Sequence, residues 1–583
     1  MRLSSAPPTR SRSLFATTVA LLGIALSTAA APPATSSRAD PVSTVRAAPG
    51  PASASRTAAT ATATATAATP PTVRTKHGRI QGRRLAATST STATSTNTAA
   101  GTGTGTSTGV DFFGKIPYAA APTGSLRWRP PQPPRSWKGT RDGGAPSPVC
   151  PQTENSNGPR SETEDCLYLD VWRPDTTAAR TGKAPVLFWI FGGGGINGSG
   201  SQYDARKLAA ETGSVVVTVN HRLGWLGFLA LPELSAASTD RTSGQFGFQD
   251  QIAALGWLKE NAAAFGGDPR QVTVAGQSAG GRAVCRLLTS PQAAGLFQRA
   301  VIQSGACNAD ALAPRERAGT SFAAAVGCGE KPSRTATLAC LRGKSVSTLV
   351  DRPDPPGTPT IGGAVLPRNP QQAIESGRFT RVPVLVGNTH DENRPYPGIS
   401  QPATDASLKA WIDRTYPELA DEVSEQYATM EPADAAGAIA SDTDRVCRAW
   451  KIENALARHT TVYAYEFNDF TAPAEAVTPG FAWGAYHTTE LGYLFEFTRS
   501  DGSAKFLTGL SPRQEKLARE MRDDWGTFVR SGEPAPRSTW PAYRPGHRPA
   551  VLQYQLSGAR VTHEFAEDHR CGFWDEHGLI KLA

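Results

Sequence analysis

The chain has 583 residues, of which 39% are hydrophobic and 19% charged, with 12 Trp and 21 Phe, so it can bury a large core and is not disordered as a whole. Its formal net charge of +9 is concentrated near the N-terminus: residues 1–72 carry six Arg and one Asp, Val73–Leu85 adds five cations, and residues 86–583 come to −1. A body so close to neutral argues against nucleic-acid binding or a polybasic membrane patch as its main business.

Arg2, Arg10 and Arg12 precede an apolar run from Leu14 to Leu26, followed by small residues from Ser27 to Ala31. That is the order of a secretory signal peptide over residues 1–31, cleaved after one of Ala29 to Ala31. The run is shorter than the roughly 20 residues of a spanning helix, and no other stretch is long enough, so the expectation is export without a stable membrane anchor. Ser11 separates Arg10 from Arg12, which does not fit a twin-arginine signal. Residues 32–72, rich in Ala, Thr, Ser and Pro, read as a flexible linker before a single folded body over 73–583. A second tract of this kind, Ala86–Gly109, lies between Val73–Leu85 and Val110–Tyr118. Both flanks read as strands, and the tract reads as an enlarged hairpin loop.

From Pro185 onward, short apolar runs bounded by Gly alternate with amphipathic stretches. The runs Val186–Phe191, Val215–Asn220, Val272–Gly276, Ala300–Ser304 and Val382–Gly387 read as buried parallel strands. Phe248, Ile252, Leu255 and Leu258 recur at helical spacing, and Ser511 to Val529 opens with Ser-Pro before a charged amphipathic run. The alternation predicts an α/β fold: a large, mostly parallel sheet with helices on both faces.

Eight Cys in an exported chain predict disulfides rather than metal sites. Cys150 with Cys166 and Cys328 with Cys340 close local loops, and Cys447 with Cys571 ties the C-terminal region together. Cys285 and Cys307 remain either a fourth disulfide or two buried thiols.

Gly276-Gln277-Ser278-Ala279-Gly280 has the form G-x-S-x-G, but so does Gly105-Thr106-Ser107-Thr108-Gly109 inside the Thr/Gly tract. Context separates them. Gln271–Ala275 reads as a strand entering the first motif and Ala279–Leu288 as a helix leaving it, the geometry that exposes a serine oxygen at a helix N-terminus. Such a serine needs a base and an oxyanion hole. The glycine run Gly192-Gly193-Gly194-Gly195, after the strand ending at Ile190, can aim successive backbone N–H groups at one point. No phosphate-loop or dinucleotide fingerprint accompanies it, so an acyl oxyanion is the better guest.

With these residues in place, the chain resembles the type B carboxylesterase family, α/β-hydrolases that include the cholinesterases and bile-salt-type lipases. The resemblance runs from about Val73 to the C-terminus, omitting Ala86–Gly109. It rests on Gly114-Lys115-Ile116-Pro117-Tyr118-Ala119, Leu126-Arg127-Trp128, Glu164-Asp165-Cys166-Leu167-Tyr168-Leu169-Asp170-Val171-Trp172, Arg222-Leu223-Gly224 and the Gly-Gln-Ser-Ala-Gly-Gly elbow. It implies Ser278 as nucleophile, with the N–H groups of Gly193, Gly194 and Ala279 as oxyanion hole. It also implies Glu392 as the acid, with Asp391 as fallback, and His487 as the base. Ser304 and Glu490 stand behind them in supporting positions. The order Ser278, Glu392, His487 matches that of α/β-hydrolases.

Four departures from the family pattern stand out. Gly195 replaces an aromatic residue or Ala, which predicts extra space near the acyl group or a looser loop. Gln277 replaces the common Glu, Asn393 follows Glu392 in place of Gly, and Trp225 takes a place often filled by Pro. The Cys150–Cys166 loop holds no Trp to receive a choline cation, which argues against a cholinesterase. The expectation is a secreted serine hydrolase acting on small carboxylic esters through an acyl-enzyme, with no metal or organic cofactor needed. The rivals are a lipase, carbamate or amide hydrolase with the same site, and a non-catalytic cholinesterase-like binding module.

Overall fold

Eleven strands form the central sheet of the computed structural model, which describes residues 69–86, 109–155, 157–474, 478–497, 509–536, 539–546 and 548–580. The expected signal peptide, nearly all of the linker and residues 87–108, with the serine of the second G-x-S-x-G match, lie outside the described residues. In chain order the strands are β1 (Arg83–Leu85), β2 (Val110–Pro117), β3 (Tyr168–Pro174), β4 (Ala184–Ile190), β5 (Val215–Val219), β6 (Gly267–Gln277), β7 (Arg299–Gln303), β8 (Val384–Thr389), β9 (Val462–Phe467), β10 (Val551–Tyr554) and β11 (Arg560–Thr562).

Across the sheet the order is β11-β10-β9-β8-β7-β6-β4-β5-β3-β2-β1. The strands from β10 to β5 pair in parallel, while β11 at one edge and β3, β2 and β1 at the other pair antiparallel. All five predicted strand runs fall in this parallel centre. Every residue of β4, β5 and β8 is buried, which is why these strands read as mostly apolar runs rather than alternating ones.

Val73–Leu85 is not one strand. It divides into Thr72–Arg74, Arg79–Gln81 and β1, the first two pairing in a small separate sheet with Thr140–Asp142. Close packing explains the break at Gly82, where a Cβ would collide with the carbonyl of Phe112. Leu85 pairs antiparallel with Val110, so the Ala/Thr/Gly tract does join the two arms of a hairpin.

The helices occupy the expected segments. Phe246–Asn261 buries Phe248, Leu255 and Leu258, with Ile252 partly buried. Pro512–Ser531 begins with Ser511 and Gln514 in a capping box and ends at Gly532 in the left-handed region. No helix among the described residues is long and apolar enough to cross a membrane.

Packing is divided among one large apolar core around the sheet and two smaller clusters. All four disulfides form, and Cys285 pairs with Cys307. Cys328–Cys340 serves the smaller cluster around Trp128 and Phe322, and Cys447–Cys571 the one around Trp411 and Trp574. Trp225 belongs to the first of these, stacked on Phe322 with ring centroids 4.2 Å apart, so its role is packing.

The recognisable sequence segments are largely scaffolding. Arg127 makes a fork of two bonds to Glu164 at 2.7 and 2.5 Å and donates to the carbonyls of Arg342 and Lys344. Asp170 accepts from the backbone N–H groups of Lys115 and Ser147. Arg222 donates to both oxygens of Asp250, which is 0% exposed. Removing one member of such a pair strands the other charge away from water. Arg222→Leu is therefore expected to destabilise the fold by about 3–5 kcal/mol, read as a lower urea midpoint at unchanged slope. A loss below about 1 kcal/mol would mean that water reaches Asp250 after the change.

Candidate active site

The elbow follows from the backbone. Ser278, between β6 and the helix Ala279–Thr289, has φ 56° and ψ −118°, a conformation that costs a non-glycine residue about 1–3 kcal/mol. Its neighbours must be small. A Cβ on Gly276 would lie 2.5 Å from the Gly280 backbone, and one on Gly280 would collide with the Ile190 carbonyl. The Ser278 N–H is held by the Gln303 carbonyl at 2.9 Å, and Ser278 itself is 9% exposed.

The glycine loop follows β4, the neighbour of β6. Gly193, Gly194 and Gly195 have φ of 105°, 69° and 80°, values open to glycine and rarely to other residues. The preceding Gly192 packs so closely on the elbow that a Cβ there would lie 3.2 Å from Ser278 Cβ. Gly195 does not open space near the acyl group. The carbonyl of Gly357 fills the place a side chain would take, and the Gly195 carbonyl accepts from Gly224 N–H at 3.0 Å, so the loop is tied rather than loose.

Glu392 lies just past the end of β8 and is 0% exposed. Its Oε2 lies 2.5 Å from His487 Nδ1, its Oε1 accepts from Thr389 N–H at 3.1 Å, and its carbonyl accepts from His487 N–H at 3.1 Å. Asp391 points elsewhere, to the N–H of Ala485 at 2.9 Å and to His390 Nδ1 at 3.0 Å. The sequence left two candidates for the histidine's carboxylate, and the geometry pairs Glu392 with it. His487 in turn stands beside the elbow, its two ring nitrogens 3.4 and 3.5 Å from the side-chain amide of Gln277. Nδ1 faces Glu392, which leaves Nε2 to exchange a proton.

Burial works to raise the Glu392 pKa, but the charge and hydrogen bond of His487, the Arg445 cation and the Ser304 hydroxyl outweigh it and hold the carboxyl below its usual range. Burial pushes the His487 pKa down. Arg445 and Arg282 push the same way, against the opposing pull of Glu392. Glu490 is buried and pushed up to about 8, by desolvation first and then by the Glu392 charge, so it stands neutral at pH 7 with Gln303 Nε2 at 3.4 Å. Ser304 follows β7 with φ 49° and donates its N–H to the Gly387 carbonyl at 2.8 Å.

Two cations here were not singled out in the sequence. Arg282 sits four residues after Ser278, its N–H bonded to the Ser278 carbonyl at 2.9 Å, a spacing that a helical reading of the elbow contains. Arg445 has no local signal. It lies in a short π-helical turn, Asp442–Val446, with Nε 3.7 Å from Glu392 Oε2 and 3.1 Å from Asn393 Oδ1. Asn393 also bonds Ser441, Ala440 and Asp444, so the residue that departs from the family pattern anchors the turn that carries the cation.

Known proteins resemble this chain along most of its length. The sequence profile of the Carboxylesterase family matches residues 69–574. Fumonisin B1 esterase of Sphingopyxis macrogoltabida is 35% identical over 451 residues, covering 74% of this chain and 82% of that protein. Para-nitrobenzyl esterase of Bacillus subtilis (strain 168) is 32% identical over 472 residues, covering 76% and 91%. A solved structure of PNB esterase matches with a TM-score of 0.68 at 28% identity, over 86% of this chain and 98% of that one. With an 11-stranded mixed sheet of the same fold and a family match over most of its length, this chain belongs to the carboxylesterase family and is a carboxylic ester hydrolase.

Proposed function

We propose that the chain is a secreted esterase that cleaves small carboxylic esters through an acyl-enzyme on Ser278. His487 Nε2 takes the proton from Ser278 Oγ as the oxygen attacks the ester carbonyl. Glu392 orients the imidazole and offsets the positive charge it gains. The N–H groups of Gly193, Gly194 and Ala279 receive the oxyanion. As the intermediate collapses, the bond to the alcohol oxygen breaks and His487 protonates the leaving alcohol. Water repeats the cycle and frees the acid. Ser304 and Glu490 support Glu392 from behind, Glu490 in its neutral form so that two carboxylate charges are not crowded together. The observation that carries the reading is the His487–Glu392 pair, 2.5 Å apart with the carboxylate buried, beside Gln277, the residue before a serine held at φ 56°.

Secretion rests on the N-terminal signal pattern over residues 1–31 and on four disulfides, which form and persist outside the reducing cytosol. In this layout residues 32–72 link the signal to the catalytic body from residue 73. The two esterase relatives support an ester substrate for this chain as well.

The direct test is intact mass after brief exposure to a fluorophosphonate, which adds only to an activated serine. A single adduct mapping to Ser278 and absent after unfolding is expected. No adduct on folded protein would favour a binding module instead. The pH profile gives a second check. The base works only when neutral, and its pKa is lowered from 6.5, so activity is expected to hold at pH 7 and to fall on the acid side with a midpoint below 6.5. A profile flat down to about pH 4 would remove His487 from the mechanism, because that lies far below any ordinary histidine pKa.

A further inference from the structure

A second cluster of ligating side chains lies behind the turn that carries Glu392. His390, Glu466 and His569 each offer one atom, and these three atoms lie within 4.8 Å of one another. They come from segments far apart in sequence: the end of β8, the end of β9, and the residue closing the short helix Phe565–Asp568. Asn388 is the register partner of Glu466, and His390, two residues further on, donates its N–H to the Phe467 carbonyl at 3.0 Å.

The far side of each group is already secured. His390 Nδ1 lies 3.0 Å from Asp391 Oδ1, and His569 Nδ1 lies 2.6 Å from Asp442 Oδ1. Asp442 is itself fixed by the Tyr427 hydroxyl at 2.7 Å, which accepts from Trp574 Nε1 at 2.9 Å. Glu466 Oε2 accepts from Asn468 and Gln553, each at 2.9 Å, leaving Oε1 for the cluster, where it lies 2.6 Å from His569 Nε2. Imidazoles whose outer nitrogens bond carboxylates, around a carboxylate held by amides, are the outer support that metal-bound histidines use. Glu466 and His569 are buried at 1% and 2% exposure, while the His390 side chain is 32% exposed under the rim residue Phe470. That side is the one open to solvent.

We propose that His390, Glu466 and His569 bind one divalent transition metal of the zinc type, through two imidazole nitrogens and one carboxylate oxygen. The ion replaces the hydrogen bond between His569 and Glu466, and the displaced proton goes to solvent. It ties the turn leading to Glu392, two residues after His390, to β9 and to the C-terminal region already stapled by Cys447–Cys571. The ester chemistry at Ser278 needs no metal, so this site acts on the stability and placement of that turn and stands apart from the reaction.

The test uses the full chain, stripped with a chelator, dialysed, and then offered Zn²⁺ alone. One equivalent is expected to remain after gel filtration, with a rise in the thermal midpoint. Cobalt(II) in its place is expected to give the visible absorption of a four-coordinate ion. His390→Ala, at the exposed edge, should keep the metal-free midpoint and lose both the retained zinc and the thermal shift. If that variant folds poorly, Glu466→Gln gives the same readout with side-chain size kept. Failure of the wild-type chain to hold stoichiometric zinc would overturn the proposal. So would equal retention by folded variants.

Discussion

Ser278→Ala is expected to lower ester turnover by about 10⁴-fold or more, because no other group in the site can form the acyl-enzyme. The change removes one oxygen from a side chain that is 9% exposed and leaves the elbow's packing in place, so the folded state should be kept. Alanine must still adopt φ 56°, but serine already bears that strain in the native chain, and the net change in stability should be below about 1 kcal/mol. The measurement is hydrolysis of a simple activated ester by the two proteins at equal concentration, with their urea midpoints compared. Binding of the unreacted ester should survive, since the change removes only the hydroxyl oxygen. Unchanged turnover in a folded variant would refute the nucleophile, and lost turnover with a collapsed midpoint would say nothing about chemistry.

The parts of this site that the sequence made legible share one property: local geometry demands them. Gly276 and Gly280 are there because a side chain at either place meets backbone, and the parallel strands are readable because burial on both faces removes polar residues from them. Glu392 and His487 were named through family resemblance, since 95 residues separate them and no periodicity links them. The resemblance put Glu392 ahead of Asp391, and in the structure Glu392 is the one that pairs with His487. The two are adjacent, and the turn after β8 aims one at His487 and the other at His390. Arg445 was illegible for a related reason, as its position depends on a π-helical turn and on Asn393 bonding to that turn. Gly195 was misread because a missing side chain looks like empty space until the carbonyl of Gly357 is seen to occupy it. The cluster of His390, Glu466 and His569 gave no signal, its members standing 76 and 103 residues apart along the chain.

Glu392→Gln is the second large effect. The amide matches the carboxylate in size, and its oxygen can still accept from Thr389 N–H, so the buried turn should fold as before. What changes is the partner of His487. A carboxylate only accepts, which fixes the proton on Nδ1 and leaves Nε2 free, whereas an amide can turn its NH₂ toward the ring and favour the opposite tautomer. The charge is lost as well. Arg445 remains 3.7 Å from that position and keeps Asp444 Oδ2 at 3.6 Å, while the imidazolium formed during attack loses the carboxylate charge that would offset it. Turnover is expected to fall by about 10⁴-fold, the scale seen when a serine triad loses the charge on its acid. The direction of the pH effect separates this from a titration fault. Glu392 raises the His487 pKa while Arg445 and Arg282 lower it, so removing the carboxylate charge moves that pKa further down and leaves the base neutral at pH 7. Raising the pH should therefore restore nothing. Asp391→Asn, whose carboxylate faces His390 and the Ala485 N–H, should cost far less activity. If the two variants were to exchange places, the acid would be Asp391. If Glu392→Gln stayed within about tenfold of wild type, the buried pair would be holding the turn in shape rather than serving the reaction.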